Sequence, residues 1–200
     1  MVDIIRKNRN DWEKVDDSLE KIRLSTKHLL ELVSDVLDMS KLEAGMFEIE
    51  EDTFDMSELM DEVAALVDAQ LIESGITHHK YRKNIQHTSL CGSSLQLRRI
   101  MLNLLIKYNK PNGRIDTYAE ELSCDGTTVW YEFKLVDTGI GMSEEFVREH
   151  LFQPFTQEKN DARTLYKGSG LGMSIVKALL EKMGGCIDVE SVPGEGSTFT

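Results

Sequence analysis

Leu135-Val136-Asp137-Thr138-Gly139-Ile140-Gly141-Met142 closes a run of strand-forming residues that begins at Val129. The run ends in one acidic residue and breaks at once into Gly-x-Gly. Ser143, Glu144 and Glu145 follow and mark a helix start. A strand of this kind sets a carboxylate at a sheet edge beside bare backbone. That suits a ligand with an amino group to read and a flat ring to pack closely. A second glycine cluster, Gly168-Ser169-Gly170-Leu171-Gly172, follows about 30 residues later and opens another helix. It lacks the Lys-Ser/Thr of a phosphate-binding P-loop. Neither cluster gives the Gly-x-Gly-x-x-Gly of a dinucleotide fold after a strand.

Working outward, Arg114 to Leu122 and Thr127 to Val136 read as two strands joined around Asp125-Gly126, a hairpin signal. Residues 143–150 read as a short helix. Residues 156–169 carry no periodicity and read as a mobile loop. Leu171 to Met183 is expected to be a helix stopped by Gly184-Gly185. Ile187 to Glu190 and Ser197 to Thr200 are expected as strands around Pro193-Gly194-Glu195-Gly196. Upstream, Asp55 or Ser57 caps a helix through about Glu73, closed by Gly75. Ile76 to Lys83 suits a strand. Ser93 and Ser94 cap a helix whose apolar face is Leu97, Ile100, Met101, Leu104 and Leu105.

Residues 1–46 read as helical. A short first helix, a turn at Asn8-Arg9-Asn10-Asp11 and a long second helix end at Gly45. Ile22, Thr26, Leu29, Val33 and Val36 alternate at spacings of four and three, widened by Leu19, Leu30 and Leu37. One helix cannot bury such a stripe, so a partner helix or second chain is expected. The domains expected are a helical dimerisation segment at 1–46, a short strand or linker at 47–54, and a mixed α+β domain at 55–200.

The 200 residues carry 35 acids against 23 bases, a formal net charge of −12. That balance repels nucleic acid and anionic membrane, so any anion site must be local. Cys91, Cys124 and Cys186 have no metal spacing, and a reducing, cytoplasmic setting is the simplest reading. No apolar run is long enough to span a bilayer, so no membrane contact is expected of this stretch. No signal peptide is expected.

The order of features resembles the sensor histidine kinases, in wording closest to bacterial hybrid kinases. Leu97 to Leu105 resembles their N box and Asp137 to Met142 their first glycine box. Leu151-Phe152-Gln153-Pro154-Phe155-Thr156-Gln157 resembles their F box, and Gly168 to Gly172 their second glycine box. Ser25 to Gly45 looks like the second helix of their dimerisation bundle. The resemblance implies an α+β chain: a truncated helical dimerisation hairpin, then the α/β sandwich of the Bergerat ATP-binding fold shared with gyrase-type ATPases. It implies ATP and Mg²⁺ as cofactors, a receiver domain or response regulator as partner, and a homodimer through the helical segment.

By position, the resemblance has Asp137 accept a hydrogen bond from the adenine amino group. Gly139 and Gly141 let backbone approach the ring, Tyr108 packs on adenine and Lys107 reaches phosphate. Residues 156–169 become the ATP lid, with Arg163 and Lys167 on phosphate. Gly168, Gly170, Leu171 and Gly172 hinge the lid and open a helix with its amides toward phosphate. Phe152 and Phe155 anchor the lid base. The parent activity implied is transfer of the ATP γ-phosphoryl to a histidine, then relay to a receiver aspartate.

Two departures from the family are plain. The acceptor-histidine motif is absent, the chain being expected to begin just after it, and His28 is no substitute. The N box lacks three residues, including the second asparagine that holds Mg²⁺ in the family. Three residues are ~300° of helix and ~4.5 Å of rise, so Asn103 reaches that position only with a slide and a twist of roughly 60°. Asn103 is therefore either the metal and catalytic residue or a polar helix residue. The chain is either a kinase core or a nucleotide-binding or dimerising scaffold without turnover. A gyrase-type ATPase of another branch is a third reading.

Overall fold

The computed structural model describes residues 2–8, 10–105, 112–158 and 169–200. The chain divides into two units, Met1–Phe47 and Glu48–Thr200. In the first, α1 (Val2–Lys7) packs against the long α2 (Trp12–Glu43). Asp11 caps α2 by accepting the Lys14 N–H, and Gly45 ends it at φ +68°, a conformation that glycine adopts without penalty. Val15 and Ser18 are buried, but Leu19, Leu29, Leu30, Val33, Val36 and Leu37 stay exposed. The predicted stripe therefore exists and this chain alone leaves it uncovered.

The second unit is two layers. A five-stranded sheet runs β2–β4–β5–β7–β6, built from β2 (Thr77–Lys83), β4 (Arg114–Cys124), β5 (Val129–Asp137), β6 (Val189–Val192) and β7 (Gly196–Phe199). Only the β2–β4 pair in it is parallel. Helices α3 (Met56–Glu73), α4 (Ser94–Leu105) and α6 (Gly172–Lys182) form the other layer, with α4 packed on both α3 and α6. Met60, Val63 and Val67 of α3 meet Ile115, Ala119 and Leu135 of the sheet in one core. The short α5 (Glu144–Glu149) is capped by the Ser143 hydroxyl, which accepts the Phe146 N–H.

The stretch 47–54, read as short strand or linker, contains most of β1 (Asp52–Asp55). Its antiparallel partner is β3 (Ser89–Gly92), which the sequence patterning did not mark. The capping groups also differ in part. Asp55 caps α3, as expected, by accepting the N–H groups of Ser57 and Glu58. The start of α4 is held instead by Asp52, which accepts from both the amide and the hydroxyl of Ser94. A carboxylate 42 residues away does the work assigned to the local serines.

Three histidines each meet an acid from another part of the chain. His78 bonds Asp68, His79 bonds Asp116 and His87 bonds Glu121. The Glu121 carboxyl is held at about 2 by the N–H groups of His87 and Gln86 and then by the His87 ring. Its folded value lies below the ordinary 4.5, so the charged form stabilises the fold. That contribution is complete above the ordinary value and disappears as pH falls toward about 2. Glu121→Gln should therefore lower the urea midpoint at pH 7. The gap from the parent chain should close on titrating toward about 2; a gap independent of pH would remove this linkage.

Candidate nucleotide site

Asp137 is the last residue of β5 and is buried. Its Oδ1 accepts the Gly139 N–H at 2.6 Å, which turns the chain sharply out of the sheet. The neighbouring residue is locked too: the Arg114 N–H donates to the Thr138 hydroxyl oxygen at 2.8 Å, and the Thr138 N–H donates to the Arg114 carbonyl. The carboxylate is thus fixed by local backbone at the point where the strand ends.

The loop after it is pinned from the far side. Gly141 sits at φ +64°, and a Cβ there would lie 1.9 Å from the Val192 carbonyl oxygen. The Gly194 N–H donates to the Ile140 carbonyl at 2.7 Å, and the Met142 N–H donates to the Ser191 hydroxyl at 2.8 Å. Gly196, at φ +132°, would place a Cβ 1.9 Å from the Asp137 carbonyl oxygen. The β6–β7 hairpin is therefore part of the site. Sequence reading took Pro193-Gly194-Glu195-Gly196 for a plain turn and passed over Ser191. A pair of glycines beside a strand was the only signal, and it does not name what backbone approaches.

The second glycine cluster is tied to the F-box stretch. The Phe155 N–H donates to the Gly170 carbonyl at 3.0 Å, and a Cβ on Gly170 would lie 2.8 Å from the Phe155 carbonyl carbon. The Thr156 hydroxyl donates to the His150 and Gln153 carbonyls. Glu158 accepts the Ser143 N–H at 3.1 Å. The two ends of the expected lid are thus brought into contact. The Phe155 side chain is 69% exposed, so its backbone at φ +62° is what anchors, not the ring. Phe152 is partly buried and lies under the Lys177 ammonium.

Leu171 is fully buried and positions the start of α6, which opens at Gly172 with no side-chain cap. The first-turn amides of such a helix favour an anion. Asn103 lies on α4, and its amide nitrogen donates to the Arg99 carbonyl of its own helix at 3.0 Å. Lys107, Tyr108, Arg163, Lys167 and Gly168 lie outside the described residues.

This geometry has a counterpart among known sequences. Residues 92–200 match the histidine kinase-, DNA gyrase B-, and HSP90-like ATPase family. The chain belongs to that family. Within it, this is an ATP-binding catalytic domain of the histidine kinase kind, with the fold of that group. Signal transduction histidine-protein kinase BarA of Escherichia coli (strain K12) is 36% identical over 186 residues, covering 92% of this chain and 20% of that protein. Hybrid signal transduction histidine kinase B of Dictyostelium discoideum is 34% identical over 185 residues, covering 91% of this chain and 9% of that protein. The solved full-length ShkA in complex with AMPPNP superposes with a TM-score of 0.73 at 30% identity, over 93% of this chain and 38% of that one. This ATPase-family chain spans a fifth or less of these curated relatives. Among its described residues, no helix is long and apolar enough to cross a membrane.

Proposed function

We propose that residues 55–200 bind Mg-ATP as the catalytic core of a cytoplasmic two-component sensor kinase. The parent protein would pass the γ-phosphoryl to a histidine, and from there to an aspartate of a receiver domain or response regulator. The observation that carries this reading is the fixed Asp137 carboxylate. It ends β5 between Gly141 of the following loop and Gly196 of β7, neither of which admits a side chain.

In this reading Asp137 accepts from the adenine amino group, and the backbone at Gly139 and Gly141 lies along the ring. Tyr108 stacks on the other side. The α6 amides from Gly172, with Lys107, Arg163 and Lys167, take the phosphates, and the hinge at Gly168, Gly170 and Leu171 lets the lid move. Rate enhancement comes from positioning and charge neutralisation. Mg²⁺ supplies charge to the phosphates. Among the described residues no group of three or more His, Cys, Asp or Glu is placed to hold a metal. Asn103 offers at most one neutral oxygen. That set fits an ion that arrives on the nucleotide and keeps its waters.

A calorimetric titration with ADP and a non-hydrolysable ATP analogue, with and without Mg²⁺, tests the reading. Binding that needs Mg²⁺ supports it, and no binding at all ends it. The short N box favours a second reading, a nucleotide-binding scaffold without turnover, because the second asparagine that holds Mg²⁺ in the family has no counterpart after Leu105. Binding that ignores Mg²⁺ selects that reading.

We further propose that residues 1–46 pair two copies through the stripe on α2. Six apolar side chains there stay exposed on a helix of 32 residues, and such a seam is buried by a second helix pair. Val33→Glu should convert a dimer to a monomer in sedimentation velocity. A parent chain already monomeric at micromolar concentration would overturn this.

A further inference from the structure

Between the helical layer and the sheet lies a cavity of about 360 Å³. Met60 and Ala64 of α3, Met101 and Leu104 of α4, and Tyr131 and Phe133 of β5 are among its walls. Neither Asp137 nor the glycines at 139, 141, 170 and 172 line it. Among the described residues, none assigned to the nucleotide site lines it. Protein interiors are packed to near crystal density. This space is open on one side, so its apolar walls lack the packing partners of a closed core and stay accessible from solvent.

Its chemistry narrows the occupant. The basic side chains that β2 adds to the wall are already matched. His78 bonds Asp68 at 2.7 Å and the Thr117 hydroxyl at 3.1 Å, Lys80 pairs with Asp68, and Arg82 pairs with Asp61. Most of the remaining wall is aliphatic and aromatic, so a charged ligand would lose its hydration for little return. The side chains of Leu97, Met101, Leu104, Leu105, Tyr131 and Phe133 belong to the core yet are only partly buried, because they face this space. An apolar cavity of ~150 Å³ takes up one benzene ring, and this one is more than twice that size. Leu122 and Trp130 also line it and are 58% and 51% exposed, so they mark its mouth.

We propose that this cavity is a second ligand site, one that takes an uncharged hydrophobe of two or three fused or linked rings. Binding there is independent of the nucleotide.

The probe is N-phenyl-1-naphthylamine, uncharged and fluorescent in apolar surroundings. It should bind the whole chain saturably, one per chain, with saturating ADP present or absent. In methionine-methyl NMR the Met60 and Met101 signals should shift while Met142, beside the nucleotide loop, stays. Ala64→Phe and Ala119→Phe fill the cavity from opposite walls. Whichever of them folds should bind the probe at least tenfold more weakly. Displacement of the probe by ADP, binding without saturation, unmoved Met60 and Met101 signals, or undiminished binding in a folded filled variant would each overturn the proposal. The Met60 and Met101 signals decide the matter even if neither variant folds. Failure of ADP binding would bear only on the nucleotide reading.

Discussion

Asp137→Asn should lower ADP affinity about 10- to 100-fold, while leaving the fold intact. A carboxylate has two acceptor oxygens, whereas an amide has one and replaces the other with an NH₂ donor. Asp137 Oδ1 already takes the Gly139 N–H at 2.6 Å. In the proposed complex the adenine amino group requires an acceptor as well. Asparagine keeps an acceptor on one side of the group only, so its NH₂ faces whichever donor lies on the other side. A hydrogen bond to a charged group contributes about 1.5–3 kcal/mol, which is roughly 10- to 100-fold in affinity. Calorimetric titration of both chains measures it directly, with thermal unfolding as the check on folding. If both chains bind ADP equally, Asp137 does not read the base and the nucleotide assignment falls.

Gly141→Ala is expected to be, with Gly196→Ala, one of the two most damaging glycine-to-alanine changes among the described residues. Two costs combine there. The backbone sits at φ +64°, where an L side chain is strained. The new Cβ would also lie 1.9 Å from the Val192 carbonyl oxygen, and that neighbour is backbone in β6. Neither side can give without breaking the Gly194-to-Ile140 hydrogen bond that pins the loop. Together these cost on the order of 3–5 kcal/mol. At ~2–4 °C per kcal/mol, the thermal midpoint falls by roughly 6–20 °C. Gly184→Ala separates the two costs, because Gly184 is at φ +77° with nothing within 4 Å of its Cβ position. That control should lose only about 1 kcal/mol. Equal losses in the two variants would show that the close approach to Val192 does not exist in solution.

The elements legible from the sequence share a physical property: their signals are local. The turn at Asp125-Gly126, the Ser143 cap and the glycine stops at Gly45 and Gly75 each depend on residues within one turn of the chain. So does the turn at Asp137, whose carboxylate bonds a residue two positions on. Four such local motifs in the right order carry the resemblance to sensor histidine kinases, and that resemblance implies the nucleotide-binding fold, the role of Asp137 and the shortness of the N box.

Other features depend on pairs far apart in sequence, and no local pattern encodes them. The strand Ser89–Gly92 is four residues long and is a strand because Asp52–Asp55 lies beside it. The start of α4 is capped by Asp52, although Ser93 and Ser94 were at hand. His78, His79 and His87 found their acids only when β2, β4 and the α3 face came together. Gly196 is required because β7 crosses within 1.9 Å of a Cβ's reach from the Asp137 carbonyl. The cavity behind α4 is likewise a property of two packed layers, since its apolar wall residues read in sequence as ordinary core. Chain chemistry within a few residues indicated the family and turned the chain at Asp137. The sheet register and the meeting of layers decided which backbone walls the site, which charges are paired, and where space is left.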